Sequence, residues 1–110
     1  MIDDRLGVYK REERIKTTGL KHDDGKLLMS LVDQKFIDGV AEVLTFGAKK
    51  YQPNSWQNLE DAERRYEDAL LRHLSAHRKG ELTDSETGLS HLKHAATNIM
   101  FLMHFSEDLQ

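Results

Sequence analysis

The sequence predicts an all-α fold: a small helical bundle with a central antiparallel helix hairpin, completed by oligomerisation. The first reason is that a chain of 110 residues with one proline and few β-branched runs favours helix over strand. The second is that apolar residues recur at helical spacing in three separate segments. The third is that these apolar stripes are wide, so three helices packed together cannot bury all of their apolar surface. We therefore expect a homo-oligomer, or a fourth helix from residues 9–31, to bury the remainder.

The composition excludes several classes of protein. The chain has no cysteine, so it has no disulfide framework, cysteine-ligated zinc, iron–sulfur cluster or cysteine nucleophile. Its net charge of -3 arises from mixed signs without a broad basic face, which argues against a nucleic-acid partner. No apolar run approaches the roughly 18 residues of a membrane span, and Met1 to Leu6 does not resemble a secretion signal. We expect a cytoplasmic protein with no membrane partner.

The chain divides into a charged N-terminal arm, residues 1–22, and a helical domain, residues 23–110. The arm mixes basic and acidic residues and has few apolar anchors. In the domain, apolar residues at helical spacing predict a first helix from about Asp33 to Lys50. Asp33 can cap the start of this helix, and the segment around Pro53 ends it.

Two further helices follow and form the hairpin. The second is predicted over about residues 60–79, with Asn58 as its cap and Gly80 at the position after a helix where glycine is favoured. For the third, the Thr-Asp-Ser-Glu segment at 83–86 fits a capping box, and the apolar pattern continues to about Phe105. Because the connection between the two helices is short and polar, they are predicted to pack antiparallel.

Polar residues are predicted to face one another across this hairpin. Counting outward from a turn near Leu82 predicts three pairs of residues that lie opposite each other on the two helices. They are His73 with His91, Arg72 with His94, and Glu67 with Asn98. On the third helix, residues that are three, four or seven positions apart lie on the same face. The polar side chains of this helix are therefore predicted to lie together on one face. Glu81 and Asp84 lie at the mouth of the turn, where their carboxylates could hold a divalent cation.

Structural roles are an alternative interpretation of the same residues. A histidine on an apolar helix face is commonly a hydrogen-bonded core residue. Asp84 and Glu86 also suit the first turn of the third helix, where the helix dipole favours acidic side chains. His73 and His77 have the i, i+4 spacing of a helical transition-metal pair, but no obvious third ligand follows on the same helix. Zinc is therefore the less favoured ion.

A second group of residues suits a phosphate and a base. Lys49, Lys50 and Trp56 lie at and after the C-terminal end of the first helix. Basic side chains beside aromatic ones can bind a phosphate and stack on a base. The structural alternative is that the lysines complement the helix dipole while Trp56 fills the core. Lys26 lies in an earlier turn and could also reach a phosphate.

Several short strings occur in a fixed order between about residues 23 and 104. They are Asp24-Gly25-Lys26, Phe46-Gly47-Ala48-Lys49-Lys50-Tyr51, Asn54-x-Trp56, Arg72-His73-Leu74, Gly80-Glu81-x-x-Asp84-x-Glu86-x-Gly88-Leu89 and His91-x-x-His94-Ala95-x-x-Asn98. As an ordered series they resemble the small phage-encoded dATP/dGTP diphosphohydrolase-type domain, which is similar to the all-α MazG-like nucleotide pyrophosphohydrolases. The resemblance covers most of the chain.

The resemblance implies an α-helical, oligomeric enzyme that splits a deoxypurine nucleoside triphosphate into monophosphate and pyrophosphate, using Mg²⁺. For a phage protein, the compartment would be the host cytoplasm. The wider MazG pattern places Glu-Glu-x-x-Glu on one helix and Glu-x-x-Asp on the next, and this chain reproduces neither cleanly. That departure motivates an alternative from another class: a non-catalytic phage module that binds a nucleotide or a host protein.

The implied reaction needs three kinds of group. Mg²⁺, with Mn²⁺ as an alternative, requires hard oxygen ligands, for which the candidate acids are Glu67, Glu81, Asp84 and Glu86. The attacking water needs a base that works near neutral pH, for which the candidates are His73 and His91. The substrate needs cations and polar contacts, for which the candidates are Lys26, Lys49, Lys50, Trp56, Arg72 and Asn98.

Overall fold

The computed structural model describes residues 24–106, and these residues form three α-helices. The helices are α1 (Gln34–Lys50), α2 (Ala62–Arg78) and α3 (His91–Phe105), with short 3-10 turns at Met29–Leu31 and Ser55–Asn58. Within the described range the only β pairing is an isolated antiparallel bridge between Thr83 and Ser90. The predicted all-α fold is confirmed, whereas the predicted arm, residues 1–22, lies outside the described residues.

Helix α1 begins and ends as the sequence predicts. The Asp33 side chain accepts a hydrogen bond from the backbone N–H of Lys35 at 3.0 Å, so the predicted N-cap is confirmed. At the other end, the N–H of Tyr51 donates to the carbonyl of Gly47 at 2.8 Å and closes the last turn. Lys49 and Lys50 occupy that last turn, where positive charge complements the helix dipole.

Helix α2 starts later than predicted, and the assignment of Asn58 as its cap is wrong. Asn58 ends the preceding 3-10 turn, and Asp61 is the residue that precedes the helix. The Asp61 carboxylate makes no cap hydrogen bond because it pairs instead with the guanidinium of Arg64, at 2.6 Å. The predicted end is confirmed, since Gly80 has a φ of 94° and its N–H donates to the carbonyl of His77.

Helix α3 also starts later than predicted. The segment 83–86 does not open the helix, so the capping-box assignment is wrong, and Ser90 is the N-cap. The Ser90 hydroxyl accepts from the N–H of Lys93 at 3.1 Å. The Asp84 carboxylate instead folds a local turn that includes Gly88, whose φ of 75° is incompatible with a continuing helix.

Helices α2 and α3 form the predicted antiparallel hairpin. Tyr66, near the start of α2, packs on Phe101 near the end of α3, with ring centroids 4.6 Å apart. His73, farther along α2, packs on His94 near the start of α3, also at 4.6 Å. Helix α1 lies against α3, where the Lys93 side chain passes over Gly39 and pairs with Glu42 at 2.6 Å.

The described residues enclose a small core. Its buried apolar side chains are Val40, Ala62 and Ala95. Large apolar side chains before and within the start of α1 are exposed, among them Leu27, Met29 and Phe36. The wide apolar stripes of the sequence predict such an incomplete three-helix core. That a second subunit completes the core stays a prediction. Within residues 24–106, no helix combines the length and apolar character needed to cross a membrane.

Candidate active site

The connection between α2 and α3 brings a carboxylate to two imidazoles. His73 projects from the middle of α2, His91 is the first residue of α3, and Asp84 lies in the connecting loop. One potential metal-ligating atom from each of these three side chains lies within 4.8 Å of the other two. His91 is buried, and the other two side chains are half-buried. The predicted facing of His73 and His91 is confirmed.

Hydrogen bonds determine which nitrogen of His91 carries a proton. His91 Nε2 lies 3.0 Å from a carboxylate oxygen of Glu81, and a carboxylate only accepts, so Nε2 carries a proton and donates. In the neutral ring, Nδ1 then has a free lone pair. That nitrogen lies 2.8 Å from Nδ1 of His73, which therefore donates the proton between the two rings. Glu81, His91 and His73 form a continuous chain of hydrogen bonds.

A third histidine supports the cluster from the side. The His94 ring stacks on His73 with centroids 4.6 Å apart and an interplanar angle of 9°. Its Nε2 lies 2.8 Å from the hydroxyl of Thr87, which in turn lies 3.3 Å from the Asp84 carboxylate. His94 thus contacts His73 directly and Asp84 through Thr87. The sequence predicted that Arg72 lies opposite His94, but in the structure His73 is the α2 residue that stacks on His94.

Asp84 is held through one carboxylate oxygen. Oδ2 accepts from the backbone N–H groups of Glu86 and Thr87, both at 3.0 Å, in addition to the Thr87 hydroxyl. No side chain or backbone group among residues 24–106 donates to Oδ1. The turn therefore fixes the carboxylate while leaving one oxygen open to a ligand.

The surroundings of the site lower the pKa values of Asp84, His73 and His94. Burial pushes the pKa of Asp84 upward, but the Thr87 N–H, the nearby His94 and the Glu86 N–H outweigh burial and lower it. Burial lowers the pKa of His73, and the neighbouring His94 and His91 lower it further. Burial also lowers the pKa of His94, against the opposing effect of Asp84. Neutral imidazoles can accept a proton or bind a metal ion.

The four acids predicted as metal ligands occupy different surroundings. Asp84 belongs to the three-residue cluster, and Glu81 adjoins it through His91. Glu86 is exposed and forms an ion pair with Lys50, at the end of α1. Glu67 is exposed on α2, six residues before His73, which corresponds to about 9 Å along a helix axis. Among the described residues, the close-packed group of potential ligands thus contains one carboxylate and two imidazoles.

The predicted substrate-binding residues fall into separate groups. Trp56 lines a cavity of about 710 Å³ between α1 and α2, together with Tyr51, Tyr66 and Phe101. One face of its indole is covered by Phe101, at 4.6 Å and 21°, so Trp56 also fills the core. Arg72 and Asn98 line a second hollow, of about 380 Å³.

The remaining lysines stand apart from these hollows. Lys49 is exposed at the end of α1, and Lys26 is exposed in the segment that precedes it. Neighbouring Lys50 has its pKa raised, chiefly by its hydrogen bond to Glu86. The Lys50–Glu86 ion pair connects the C-terminal end of α1 to the loop that carries Asp84.

Sequence reasoning missed Thr87, which connects Asp84 to His94. Its hydroxyl contacts both side chains and also accepts from the N–H of Leu89 at 3.1 Å. The available signal was an aspartate followed three residues later by Thr-Gly, a pattern typical of a side-chain-stabilised turn. The same segment fits a capping box equally well, so the turn was not predicted.

Comparison with known proteins identifies relatives of this chain. The family described as "dATP/dGTP diphosphohydrolase, N-terminal" matches residues 16–109. A protein of Salmonella phage PMBT28 named dATP/dGTP diphosphohydrolase is 44% identical over 85 residues, which cover 77% of this chain and 29% of that protein. The chain thus matches less than a third of the length of this relative, and no solved structure matches it. Because the family match extends over most of the sequence, the chain belongs to the dATP/dGTP diphosphohydrolase N-terminal family.

Proposed function

We propose that the protein hydrolyses a deoxypurine nucleoside triphosphate to the monophosphate and pyrophosphate, in a metal-dependent reaction in the host cytoplasm. The observation that carries the proposal is the convergence of His73, Asp84 and His91 within the family-matched region. The name of the Salmonella phage relative supports dATP and dGTP as substrates. The alternative, a non-catalytic nucleotide-binding or host-protein-binding module, predicts binding without turnover.

The residues near Asp84 can accept a divalent cation that arrives with the nucleotide. Mg²⁺ is commonly held by one or two carboxylates together with substrate phosphates, and Asp84 offers an open oxygen for that purpose. Glu81 and Glu86 supply further negative charge nearby. A bound cation would offset the charge that develops on the phosphate oxygens. Mn²⁺, which accepts the same oxygen ligands, is the second ion to test.

The aromatic cavity beside the loop suits the base of the nucleotide. Its volume of about 710 Å³ lies within the range typical of small-molecule sites, and it is lined mainly by apolar and aromatic side chains. We propose that the base enters this cavity next to Trp56 and that the triphosphate extends past Lys50 toward Asp84. The Lys50–Glu86 ion pair supports this path because it joins the end of α1 to the loop that carries Asp84.

A product-resolved nucleotide screen tests the proposed reaction. Each deoxynucleoside triphosphate is incubated with the protein and Mg²⁺ or Mn²⁺, and the nucleotide and phosphate products are separated. We expect the purine substrates to yield monophosphate and pyrophosphate. Orthophosphate as the only inorganic product would contradict the reaction, and calorimetric nucleotide binding without turnover would favour the binding module.

Intrinsic fluorescence tests the base site separately from turnover. Trp56 is the single tryptophan of the chain, so its emission reports on this cavity alone. We expect dATP or dGTP to quench the emission more strongly than inorganic pyrophosphate does. Equal quenching by pyrophosphate would indicate that the phosphates, and not the base, cause the change.

A further inference from the structure

We propose that His73, Asp84 and His91 form a binding site for a first-row transition-metal ion, which the protein holds in the absence of nucleotide. The inference rests on the proposed function in one respect, since it concerns the same candidate active site. It assigns the two imidazoles as metal ligands instead of proton acceptors. It also changes the expected preference of this site from Mg²⁺ toward ions such as Co²⁺, Mn²⁺ and Zn²⁺.

The chemistry of the donors supports this preference. The three side chains supply two imidazole nitrogens and one carboxylate oxygen, with ligand atoms within 4.8 Å of one another. Mg²⁺ prefers oxygen ligands and retains several waters, whereas imidazole nitrogen suits transition metals. A site with two nitrogens among three donors therefore favours a transition-metal ion over Mg²⁺.

Glu81 gives His91 the surroundings of a metal ligand. Metal-binding histidines almost always donate their second ring N–H to a carboxylate, a carbonyl or a water, and this fixes the ring orientation. His91 Nε2 makes that hydrogen bond to Glu81 at 3.0 Å. The ring is also buried, at 5% exposure, so it cannot turn away from the cluster. His91 Nδ1 is left with its lone pair directed at His73.

The second and third donors are also oriented before any ion binds. His73 is fixed by its stacking on His94 and by the contact between its Nδ1 and that of His91. Asp84 is fixed through Oδ2 by two backbone N–H groups, which leaves Oδ1 for an ion. The three donors come from α2, the loop and α3, so their convergence depends on the folded hairpin.

Metal binding needs only a rearrangement of one proton in this cluster. The two Nδ1 atoms lie 2.8 Å apart and share one proton when both rings are neutral. A cation that uses both lone pairs displaces this proton, and His73 can carry it on Nε2 instead. The pair remains neutral, so the exchange releases no net proton.

Titration of the metal-free 110-residue chain with Co²⁺ tests the proposal. Binding is followed by calorimetry and by the visible absorption of the ion, with Mg²⁺ titrated under the same conditions. We expect one Co²⁺ per chain, bound at least about tenfold more tightly than Mg²⁺. Binding of Mg²⁺ as tight as that of Co²⁺ would overturn the proposal.

Variants distinguish ligands from neighbours. We expect His73→Gln, His91→Gln and Asp84→Asn each to weaken Co²⁺ binding by at least about tenfold and to change its absorption. The matched controls are His77→Gln, one helical turn after His73, and Asp68→Asn, an exposed carboxylate on α2. Both controls should bind Co²⁺ like the wild type. Circular dichroism spectra and melting curves confirm that each variant is folded before its affinity is compared.

Glu81→Ala tests the positioning of His91. We expect this variant to bind Co²⁺ about 10–100-fold more weakly while keeping one ion per chain, because Glu81 orients a ligand without being one. An unchanged affinity and spectrum would show that Glu81 plays no part in the site.

The outcomes separate this inference from the proposed function. Folded His73→Gln and His91→Gln variants that bind Co²⁺ like the wild type but lose turnover would identify the imidazoles as proton acceptors. That result would overturn the metal site and leave the proposed function intact. Conversely, tight Co²⁺ binding without hydrolysis of any nucleotide in the presence of Mg²⁺, Mn²⁺ or Co²⁺ would support the metal site and reject the proposed function.

Discussion

The Asp84 carboxylate is held through Oδ2 by the N–H groups of Glu86 and Thr87, within a turn that also contains Gly88. The nearby Glu86 also carries a carboxylate, but its side chain is exposed and paired with Lys50. The two acids differ in orientation: Asp84 has a carboxylate oxygen close to His73 and His91, and Glu86 does not belong to that cluster. Residue type alone does not distinguish them.

Removing each of these acids should therefore have different effects on turnover. We expect Asp84→Ala to lower kcat/KM by about 100-fold or more, because the cation that offsets the transition-state charge loses a protein ligand. Glu86→Ala should lower it by less than about tenfold, since water screens the exposed ion pair that Glu86 makes with Lys50. Steady-state kinetics with dATP or dGTP gives both values. An equal loss in the two variants would assign Glu86 the metal-ligand role predicted from the sequence.

Tyr66 connects the hairpin to the segment before it. Its hydroxyl donates to the carbonyl of Trp56 at 2.8 Å, and burial raises the pKa of this hydroxyl. A raised folded-state pKa means that the unfolded chain ionises first as the pH increases. The stability contributed by neutral Tyr66 is thus complete below about pH 10 and is lost as the pH rises through the folded-state pKa.

Tyr66→Phe should have two measurable effects on stability. At neutral pH we expect the free energy of unfolding to fall by about 0.5–1.5 kcal/mol, because the Trp56 carbonyl loses its donor. Above about pH 10, the variant should lose stability less steeply than the wild type. Urea denaturation at several pH values provides both comparisons, and Tyr51→Phe, at an exposed tyrosine, is the control. Parallel pH profiles for Tyr66→Phe and the wild type would contradict the assignment.

At the scale of elements, backbone conformation fixes where the helices end. Gly80 follows α2 with a φ of 94°, and its N–H and that of Glu81 donate to the carbonyls of His77 and Ala76. These two hydrogen bonds satisfy carbonyls that the helix leaves unpaired. The chain then turns toward Asp84, so this ending also determines where the loop carries its carboxylate.

A matched pair of glycine substitutions isolates this backbone requirement. A Cβ at Gly80 or at Gly47 would meet no atom within 4 Å, but only Gly80 has a positive φ. We expect Gly80→Ala to lower the free energy of unfolding by about 1–2 kcal/mol. Gly47→Ala should raise it by about 0.5–1 kcal/mol, because glycine weakens a helix interior. Thermal or urea denaturation measures both changes, and a stabilised Gly80→Ala protein would refute the role of the left-handed ending.

At the scale of the whole molecule, α1 is attached to the hairpin by few strong contacts. Its two ion pairs, Lys50–Glu86 and Lys93–Glu42, are both partly exposed, so water screens them and each contributes little to stability. Apolar burial must therefore supply most of the attachment, yet the buried apolar side chains of the described residues are small. Meanwhile Leu27 and Met29 are 82% and 70% exposed. Exposed apolar surface of this kind is typical of an interaction site.

We therefore predict that the chain self-associates through the face that contains these residues and the start of α1. Phe36→Glu, at a 56% exposed position on that face, should shift the protein to monomers without changing its helical content. Sedimentation equilibrium and circular dichroism provide the two readouts. Leu71→Glu, at a position on α2 that is 55% exposed, is the matched control and should leave association unchanged. A monomeric wild-type chain would contradict the predicted homo-oligomer.

Local sequence patterns were sufficient to predict the three helices and the pairing of α2 with α3. Apolar spacing of three and four residues is a local property, so it predicts α1, α2 and α3 without knowledge of what they contact. Asp33 and Gly80 act through hydrogen bonds to their own neighbours in the chain, and both were predicted correctly. Counting outward from the turn also predicted that His73 faces His91, because antiparallel pairing fixes the register.

The partners of the remaining polar residues depend on how the helices and the loop pack together. Residues 83–86 fit both a capping box and a turn, and the choice depends on Gly88 and on the contacts of Thr87 with His94. Likewise, Glu86 forms an ion pair with Lys50, and Glu81 accepts a hydrogen bond from His91. In both cases the two partners lie on different elements. Aspartate and threonine side chains can hydrogen-bond to the nearby backbone in several local conformations. Long-range packing selects among these conformations, and that selection gathers the imidazoles and the carboxylate into one cluster.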